Sequence, residues 1–257
     1  MWLFRNILEM TVWKKKMIEV IDIHSHIIPG VDDGSKDMNM TRDMLRLAWK
    51  EGIRVIVATP HYKCDGMCKK SFEFREYYEK VCQEARKIHP DFAVFLGNEL
   101  MDSHSLCEEL EAGKALTMAG LNYVLLEFAP SVDACTMKHS LQRMQMHGYW
   151  PVIAHAERYE CMRSSLELTE TLVAMGCYIQ VNAGSIMGKN GFRVKGYVKK
   201  ILSRELVHFL GTDAHDMEKR KPEIQRSAAC ISDRYGAEYT ARIVWENPCQ
   251  LLARKKI

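Results

Sequence analysis

The sequence has little net charge, no paired cysteines and no segment that would separate two domains. Its 257 residues carry a formal net charge of +3, which is too small to indicate a nucleic-acid-binding surface. The nine cysteines are odd in number and lack paired spacings, so they favour reduced thiols in the cytoplasm over a disulfide framework. Because no Gly/Ser-rich linker interrupts the chain, its length predicts one large domain with a substantial core.

The first seventeen residues are predicted to form an N-terminal extension to a domain that spans residues 18–257. Apolar side chains dominate residues 2–13, but Arg5 and Glu9 interrupt them. The apolar run is too short to cross a bilayer, and it lacks the features of a signal peptide. We therefore expect no stable membrane insertion. A loosely packed extension, or translation that starts at Met17, is the favoured interpretation, and an amphipathic helix at a membrane surface is the alternative.

Beyond this extension, apolar β-rich segments alternate with segments of helical periodicity. In one of the latter, Met40, Met44 and Ala48 form an apolar face, and Gly52 follows as a helix-ending residue. Apolar strands separated by helices are typical of a parallel sheet that is covered on both faces. Seven such units favour a closed barrel, so the predicted fold is an α/β, seven-stranded (β/α) barrel. The predicted strands are Glu19–His24, Ile53–Ala58, Phe92–Gly97, Tyr123–Glu127, Val152–His155, Tyr178–Asn182 and Val207–Gly211.

Two histidines, His24 and His26, stand at the end of the first predicted strand. Because side chains alternate along a strand, both should point to the same side, with Cα atoms about 7 Å apart. Two imidazoles at that separation can bind one metal ion. Taken alone the pair is a weak signal, since two hydrogen-bonded histidines without a metal would look the same.

The signal becomes stronger because nearly every predicted strand ends in a histidine or a carboxylate. In a β/α barrel the C-terminal ends of the strands meet at one rim, and burying so many charged groups without a metal would be costly. A single catalytic zinc uses three protein ligands, so a larger set predicts two or three ions, with Glu99 as a bridging carboxylate. The nine predicted ligands are His24, His26, Asp33, His61, Glu99, Glu127, His155, Asp213 and His215.

This mixed set of nitrogen and oxygen ligands suits manganese, iron or zinc better than calcium. Three divalent ions (about +6) against four carboxylates and one hydroxide (about −5) leave a slightly positive site, which favours a phosphate dianion. Bound water that deprotonates near neutral pH would attack the phosphorus. Arg158 and Arg220 are predicted to bind the phosphate oxygens through bidentate hydrogen bonds. For Arg158, bracing a carboxylate of the site is the alternative.

Seven motifs together resemble the PHP (polymerase and histidinol phosphatase) superfamily, and within it the manganese-dependent protein-tyrosine phosphatases of bacterial capsule and exopolysaccharide operons. The resemblance implies a distorted seven-stranded β/α barrel, a three-metal site built from the nine ligands, and Arg158 and Arg220 as phosphate-binding residues. It also implies hydrolysis of phosphotyrosine on a membrane-associated bacterial tyrosine autokinase. The motifs are Ile21–His26, Val31–Gly34, Ala58–His61, Gly97–Glu99, Leu126–Phe128, Ile153–Tyr159 and Thr212–His215.

Two alternative functions and one ligand choice stay open at this point. A small-molecule phosphoesterase of the same superfamily, such as a histidinol-phosphate phosphatase, would use identical metal chemistry. A non-catalytic regulator that binds a kinase has no need of nine buried polar groups. A cysteine phosphatase is excluded, because none of the cysteines is followed six positions later by arginine. Between Asp32 and Asp33 the predicted ligand is Asp33, although spacing alone does not decide between them.

Overall fold

The computed structural model describes residues 17–64 and 75–257. Residues 1–16 of the predicted N-terminal extension therefore lie outside the described residues, and only Met17 of that segment is described, with its side chain exposed. Within the described ranges the strands are β1 (Val20–Ser25), β2 (Ile53–Ala58), β3 (His61–Tyr62), β4 (Ala93–Leu96), β5 (Glu99–Met101), β6 (Tyr123–Glu127), β7 (Trp150–Ile153), β8 (Tyr178–Asn182) and β9 (Phe209–Gly211).

All strand pairs are parallel, and they form one sheet of three strands, β1-β2-β4, and one of six, β3-β5-β6-β7-β8-β9. The two sheets continue into each other, because β3 follows β2 and β5 follows β4 after two residues each. One of the two interruptions contains Pro60, which has no N–H to donate to a neighbouring strand. Backbone bonds still cross the breaks: Gly97 N donates to Ala58 O at 2.8 Å, and Glu99 N donates to Pro60 O at 3.2 Å.

The two edges of this curled sheet meet where β1 and β9 end. Ser25 forms an isolated parallel bridge with Ala214, and Asp213 N donates to His24 O at 2.8 Å. Deeper in the seam, the buried carboxylate of Asp22 accepts from Thr212 N at 2.9 Å and from Thr212 Oγ1 at 2.5 Å. Burial raises the pKa of Asp22 to about 6, although the hydrogen bonds from Thr212 oppose the shift.

The predicted α/β barrel-like fold is confirmed as a curled parallel sheet covered by helices, and every predicted strand overlaps an observed one. The described residues form nine strands instead of the predicted seven. The second and third predicted strands are each followed, after a break, by an additional short strand, β3 and β5. Strand ends also differ by a few residues. The predicted Val152–His155, for example, is observed as Trp150–Ile153, and His155 lies beyond the strand in a left-handed conformation with φ of 31°.

Helices cover the outside of the sheet. In α1 the buried Met44, Leu45 and Ala48 face the core, Asp37 caps the first turn by accepting from Asn39 N and Met40 N, and the chain turns away at Gly52 with φ of +77°. The helices are α1 (Met38–Lys50), α2 (Arg75–Ile88), α3 (Leu106–Glu111), α4 (Ala134–Met146), α5 (Glu160–Ser164), α6 (Leu166–Ala174), α7 (Ala183–Met187), α8 (Phe192–Ser203), α9 (Gln225–Tyr235), α10 (Ala237–Ala241) and α11 (Asn247–Leu252), with short 3₁₀ turns at Met118–Gly120 and Ala156–Arg158 and a π-helical turn at Arg242–Glu246.

One apolar cluster lies between the sheet and the helices, and a second fills the inside of the curled sheet. The second joins alternate residues of β1 and β2 to residues of β6–β9. Leu251 of α11 packs into this cluster at the end where the strands begin. Tyr123 Oη donates there to Lys255 O at 2.8 Å, so the C-terminal segment closes this end of the barrel. Across residues 17–64 and 75–257, no helix combines the length and the apolar character needed to span a membrane.

Candidate metal centre

The nine predicted ligands lie together at the opposite end, where the strands finish. Six of them are almost completely buried: His24, His26, Glu99, His155, Asp213 and His215. The other three side chains are partly open to solvent, with 64% of Asp33, 20% of His61 and 15% of Glu127 exposed. The centre is therefore a buried polar cluster that opens to solvent on the side of these three residues.

Eight of the nine fall into three groups. Within each group, the candidate ligand atoms all lie within 4.8 Å of one another. The groups share members: Glu99 belongs to two of them, as do His26 and His61. This sharing is what a bridging carboxylate at Glu99 requires. The groups are His26, Asp33, His61 and His215; His24, His26, Glu99 and Asp213; and His61, Glu99 and Glu127.

The ninth residue, His155, stands outside these groups but contacts two of their members. Its Nε2 lies 2.6 Å from Glu99 Oε1 and 3.4 Å from Glu127 Oε1. The left-handed backbone of His155 directs the ring into the barrel mouth immediately after β7. All nine side chains are thus brought into one connected cluster.

Burial and neighbouring charges inside the cluster shift several pKa values strongly. Burial works to raise the pKa of Glu99, but the neighbouring His24 and His155 hold it well below its usual range. Burial would lower the pKa of His26, yet the neighbouring carboxylates of Asp32 and Glu99 raise it to about 10. His215 behaves in the opposite way, because burial and the nearby charge of His26 lower its pKa to about 2.

Two buried atoms of this cluster have no hydrogen-bond partner in the described part of the chain. They are Glu99 Oε2 and His215 Nε2. Buried polar atoms are rarely left without a partner in native proteins, and a carboxylate oxygen and an imidazole nitrogen are both ligands for divalent transition metals. The donor set and these two atoms fit bound metal ions.

The two neighbouring aspartates occupy different positions. Asp33 Oδ1 lies 3.4 Å from both His61 Nε2 and His215 Nε2 and belongs to one of the three groups. Asp32 instead lies behind His26, where its Oδ2 accepts from His26 Nδ1 at 2.7 Å and from His61 N at 3.0 Å. This contact leaves His26 Nε2 facing the cluster, so Asp32 orients a histidine whereas Asp33 offers its oxygen directly.

Both predicted arginines reach the cluster, where they bind the same carboxylate. Arg158 Nη2 donates to Asp213 Oδ2 at 2.5 Å, and Arg220 Nη2 donates to Asp213 Oδ1 at 2.6 Å. Each arginine side chain is 35% exposed, so both also reach solvent at the mouth. The loop after β9 holds Arg220 in place, because Arg220 O accepts from His215 N at 2.8 Å and Arg220 N donates to Asp216 Oδ1 at 3.0 Å.

Sequence reasoning missed the contacts that Gln180 and Asn182 make with the ligands, and it considered Asp32 only as the alternative ligand to Asp33. The two amides lie on β8, which supplies none of the nine predicted ligands, and both are buried. The available signal was two polar residues at i, i+2 in an otherwise apolar strand, the same spacing as His24 and His26.

Comparison with known proteins agrees with this geometry. A family model described as "Capsular polysaccharide synthesis, CpsB/CapC" matches residues 20–253. The chain belongs to the CpsB/CapC family. It is 31% identical over 239 residues to the tyrosine-protein phosphatase CpsB of Streptococcus pneumoniae, covering 91% of this chain and 98% of that protein. It is 30% identical over 219 residues to the tyrosine-protein phosphatase YwqE of Bacillus subtilis, covering 85% and 86%.

Solved structures agree with the family and the fold. A structure described among those of YwqE from B. subtilis and CpsB from S. pneumoniae, "unique metal-dependent tyrosine phosphatases", matches with a TM-score of 0.85 at 30% identity and covers 92% of this chain and 96% of that chain. The phosphotriesterase homology protein of Escherichia coli matches with a TM-score of 0.60 at 11% identity, covering 92% and 99%. The second similarity concerns the fold alone.

Proposed function

We propose that this protein is a metal-dependent protein-tyrosine phosphatase that acts in bacterial capsule or exopolysaccharide synthesis. The observation that carries the proposal is the set of three overlapping ligand groups, which lie beside two arginines at the open end of the barrel. Family membership supports the same activity, because relatives about 30% identical over most of the chain are named tyrosine-protein phosphatases. We further propose that residues 18–257 form one PHP metallophosphatase domain.

The nine clustered side chains are the proposed metal ligands, with manganese as the favoured metal, three as the favoured number of ions, and iron or zinc as the alternatives. When bound, divalent ions of this type supply an activated water molecule and neutralise charge on phosphate oxygens. The shared position of Glu99 in two ligand groups supports its role as the bridge.

The proposed phosphate-binding residues are Arg158 and Arg220. Asp213 binds one nitrogen of each guanidinium and so orients both side chains at the mouth. An arginine presents several N–H groups in a planar fork, so one N–H can bind Asp213 while others bind a phosphate oxygen. Two fixed guanidinium groups also favour a dianionic phosphate monoester over a neutral ester.

The proposed substrate is a phosphotyrosine protein, namely a membrane-associated bacterial tyrosine kinase, and the proposed location is the cytoplasm. A mouth that is open at Asp33, His61 and Glu127 supports a substrate that presents its phosphate on a protruding side chain. A small phosphorylated metabolite would also enter such a mouth, so the choice of substrate is part of the test.

The test compares substrates on protein that has been stripped of metal with a chelator and reloaded with manganese. A phosphotyrosine peptide, a phosphoserine peptide of the same sequence and histidinol phosphate are assayed for kcat/KM. We expect no turnover before reloading, recovery with manganese, and the highest kcat/KM for the phosphotyrosine peptide. Preference for histidinol phosphate would contradict the protein substrate, and activity that is indifferent to the chelator would contradict the metal requirement.

A further inference from the structure

Strand β8 supplies no proposed ligand, yet two of its side chains contact three residues that do. Gln180 and Asn182 are 0% and 5% exposed, and their i, i+2 spacing places them on the same face of the strand. Gln180 Oε1 lies 2.7 Å from His155 N and 3.2 Å from His24 Nδ1. At the other end of the pair, Asn182 Nδ2 lies 2.7 Å from Asp213 Oδ2.

The ends of this chain of contacts fix the orientation of both amides. A main-chain N–H only donates, so the Gln180 atom that faces His155 N must be the amide oxygen. Gln180 Nε2 therefore donates to Asn182 Oδ1 at 2.8 Å. Asn182 then presents its own nitrogen to Asp213, whose carboxylate only accepts. No other pair of amide orientations satisfies the partners at both ends.

This orientation also fixes the tautomer of His24. An amide oxygen accepts, so His24 Nδ1 must carry the hydrogen that it shares with Gln180 Oε1. In the neutral ring the lone pair then lies on Nε2. That atom is 3.2 Å from Glu99 Oε2 and 3.4 Å from Asp213 Oδ1, inside one of the three ligand groups.

The backbone of the neighbouring strand leaves room for these two amides. A Cβ atom added at Gly211 would lie 2.8 Å from Gln180 Nε2 and 3.0 Å from His24 Cβ. Contacts this short are not tolerated without movement, so only glycine at this position lets Gln180 lie beside His24. The position of Gln180 is therefore supported from β1, β7 and β9 at once.

We propose that Gln180 and Asn182 form an amide relay that positions His24 and Asp213 for metal binding. Both are positioning residues, because they act through the ligands. The inference rests on the proposed function, since it presumes that His24 and Asp213 bind metal. It adds that the backbone N–H of His155 fixes the orientation of the Gln180 amide. Gln180 then sets the tautomer of His24, and Asn182 holds the carboxylate of Asp213.

The test measures manganese binding to the metal-free full chain, together with its melting temperature. Gln180→Leu removes the oxygen that accepts from His24 and His155 and the nitrogen that donates to Asn182. We expect its manganese affinity to fall about 10–100-fold, as is usual when the hydrogen-bond partner of a metal ligand is lost. Gln180→Glu keeps an oxygen that accepts from His24 and His155 but cannot donate to Asn182 Oδ1, so its affinity should fall less than that of Gln180→Leu.

A control variant separates metal positioning from general stabilisation. Gln145 Nε2 donates to Met175 O at 2.7 Å outside the metal centre, and Gln145→Leu should lower the melting temperature without changing manganese affinity. If Gln180→Leu behaves like this control, the two amides are merely structural and the inference is wrong.

The other end of the relay gives an independent reading if Gln180→Leu does not fold. Asn182→Ala leaves the contacts of Gln180 with His24 and His155 in place and removes the donor to Asp213 together with the acceptor of Gln180 Nε2. A weakened manganese affinity supports the relay, and an unchanged affinity overturns it. Wild-type protein that binds no manganese would overturn the proposed function itself. Wild-type binding with unchanged affinity in the variants would overturn only the relay.

Discussion

The two ends of the barrel both contain buried side chains, but these side chains are stabilised in different ways. At the lower end, where the strands begin, Tyr123 and Tyr178 pack with ring centroids 5.3 Å apart, and Phe209 lies against both. Their environment is apolar, and the tyrosine hydroxyls donate to Lys255 O and Ile257 O. At the upper end, the strands and the loops that follow them carry the histidines and carboxylates of the metal centre, except β8, which carries the amides of Gln180 and Asn182.

The two ends differ in whether their buried polar atoms find hydrogen-bond partners within the protein. The lower end buries apolar surface, worth about 25 cal/mol per Å², and its tyrosine hydroxyls find partners within the chain. The upper end leaves Glu99 Oε2 and His215 Nε2 without hydrogen bonds among the described residues. The lower end therefore needs no partner from outside the chain, whereas the upper end has polar atoms placed to bind metal ions. This division is the one expected of β/α barrels.

The largest expected effect comes from a change at the upper end. Asp213→Ala removes a carboxylate that belongs to a ligand group and binds both arginines, so kcat/KM for p-nitrophenyl phosphate should fall by more than about a hundredfold. Manganese should raise the melting temperature of the wild type but not that of the variant. Asp43→Ala, at an exposed ion pair with Arg46 on α1, is the matched control. Full activity in the Asp213 variant would contradict the assignment of the centre.

At the lower end the expected effect is on stability and not on turnover. Leu251 is completely buried, and Leu251→Ala should lower the free energy of unfolding by about 2–5 kcal/mol through lost burial and a residual cavity. Urea unfolding measures this loss, and kcat/KM at a temperature where the variant is folded should match the wild type. A large loss of kcat/KM in the folded variant would show that the two ends are not independent.

The lower end should also carry a pH dependence of its own. His208 Nδ1 accepts from Ile179 N at 3.1 Å, and burial lowers the pKa of His208 from 6.5 to about 4. Between these two pH values the unfolded chain takes up a proton that the folded protein does not. The contribution to stability is therefore present above pH 6.5 and is lost as the pH falls towards 4, by at most about 3 kcal/mol.

The variant His208→Asn isolates this contribution, because its Oδ1 can still accept from Ile179 N and does not titrate. Unfolding free energies at pH 7 and pH 5 should therefore differ less in the variant than in the wild type. Both proteins are measured with a chelator present, so that metal binding does not enter the comparison. Identical differences in the two proteins would rule out His208 as the titrating group.

The smallest expected effect distinguishes phosphate binding from metal binding within the upper end. Arg158→Ala should raise KM for p-nitrophenyl phosphate about tenfold, the equivalent of one charge-assisted hydrogen bond worth about 1.5 kcal/mol, while the metal content stays near that of the wild type. Arg143→Ala, which removes a half-buried arginine that pairs with Asp102 at 3.2 Å, is the control. Loss of metal in the Arg158 variant would make this arginine a support for Asp213.

The sequence was sufficient to predict the order of strands and helices, because apolar strands and amphipathic helices have different periodicities. It also predicted the nine side chains that the structure brings together, since strand ends converge in a barrel whatever the details of its loops. The breaks at Pro60 and at Gly97–Asn98 were not predicted, because pairing that continues across a break depends on the neighbouring strand. The orienting roles of Asp32 and Gln180 were not predicted either, since a hydrogen bond to the far side of a ring depends on tertiary contacts.

The seam between β1 and β9 has a consequence for the order of assembly. Asp22 and Thr212 are 190 positions apart, so the hydrogen bond that joins the two edges forms only when the last strand has returned to the first. A nascent polypeptide that has not yet emerged as far as His215 holds its early histidines without their late partners. Two of the three ligand groups include Asp213 or His215, so neither group is complete until the chain beyond β9 has been made and has joined β1.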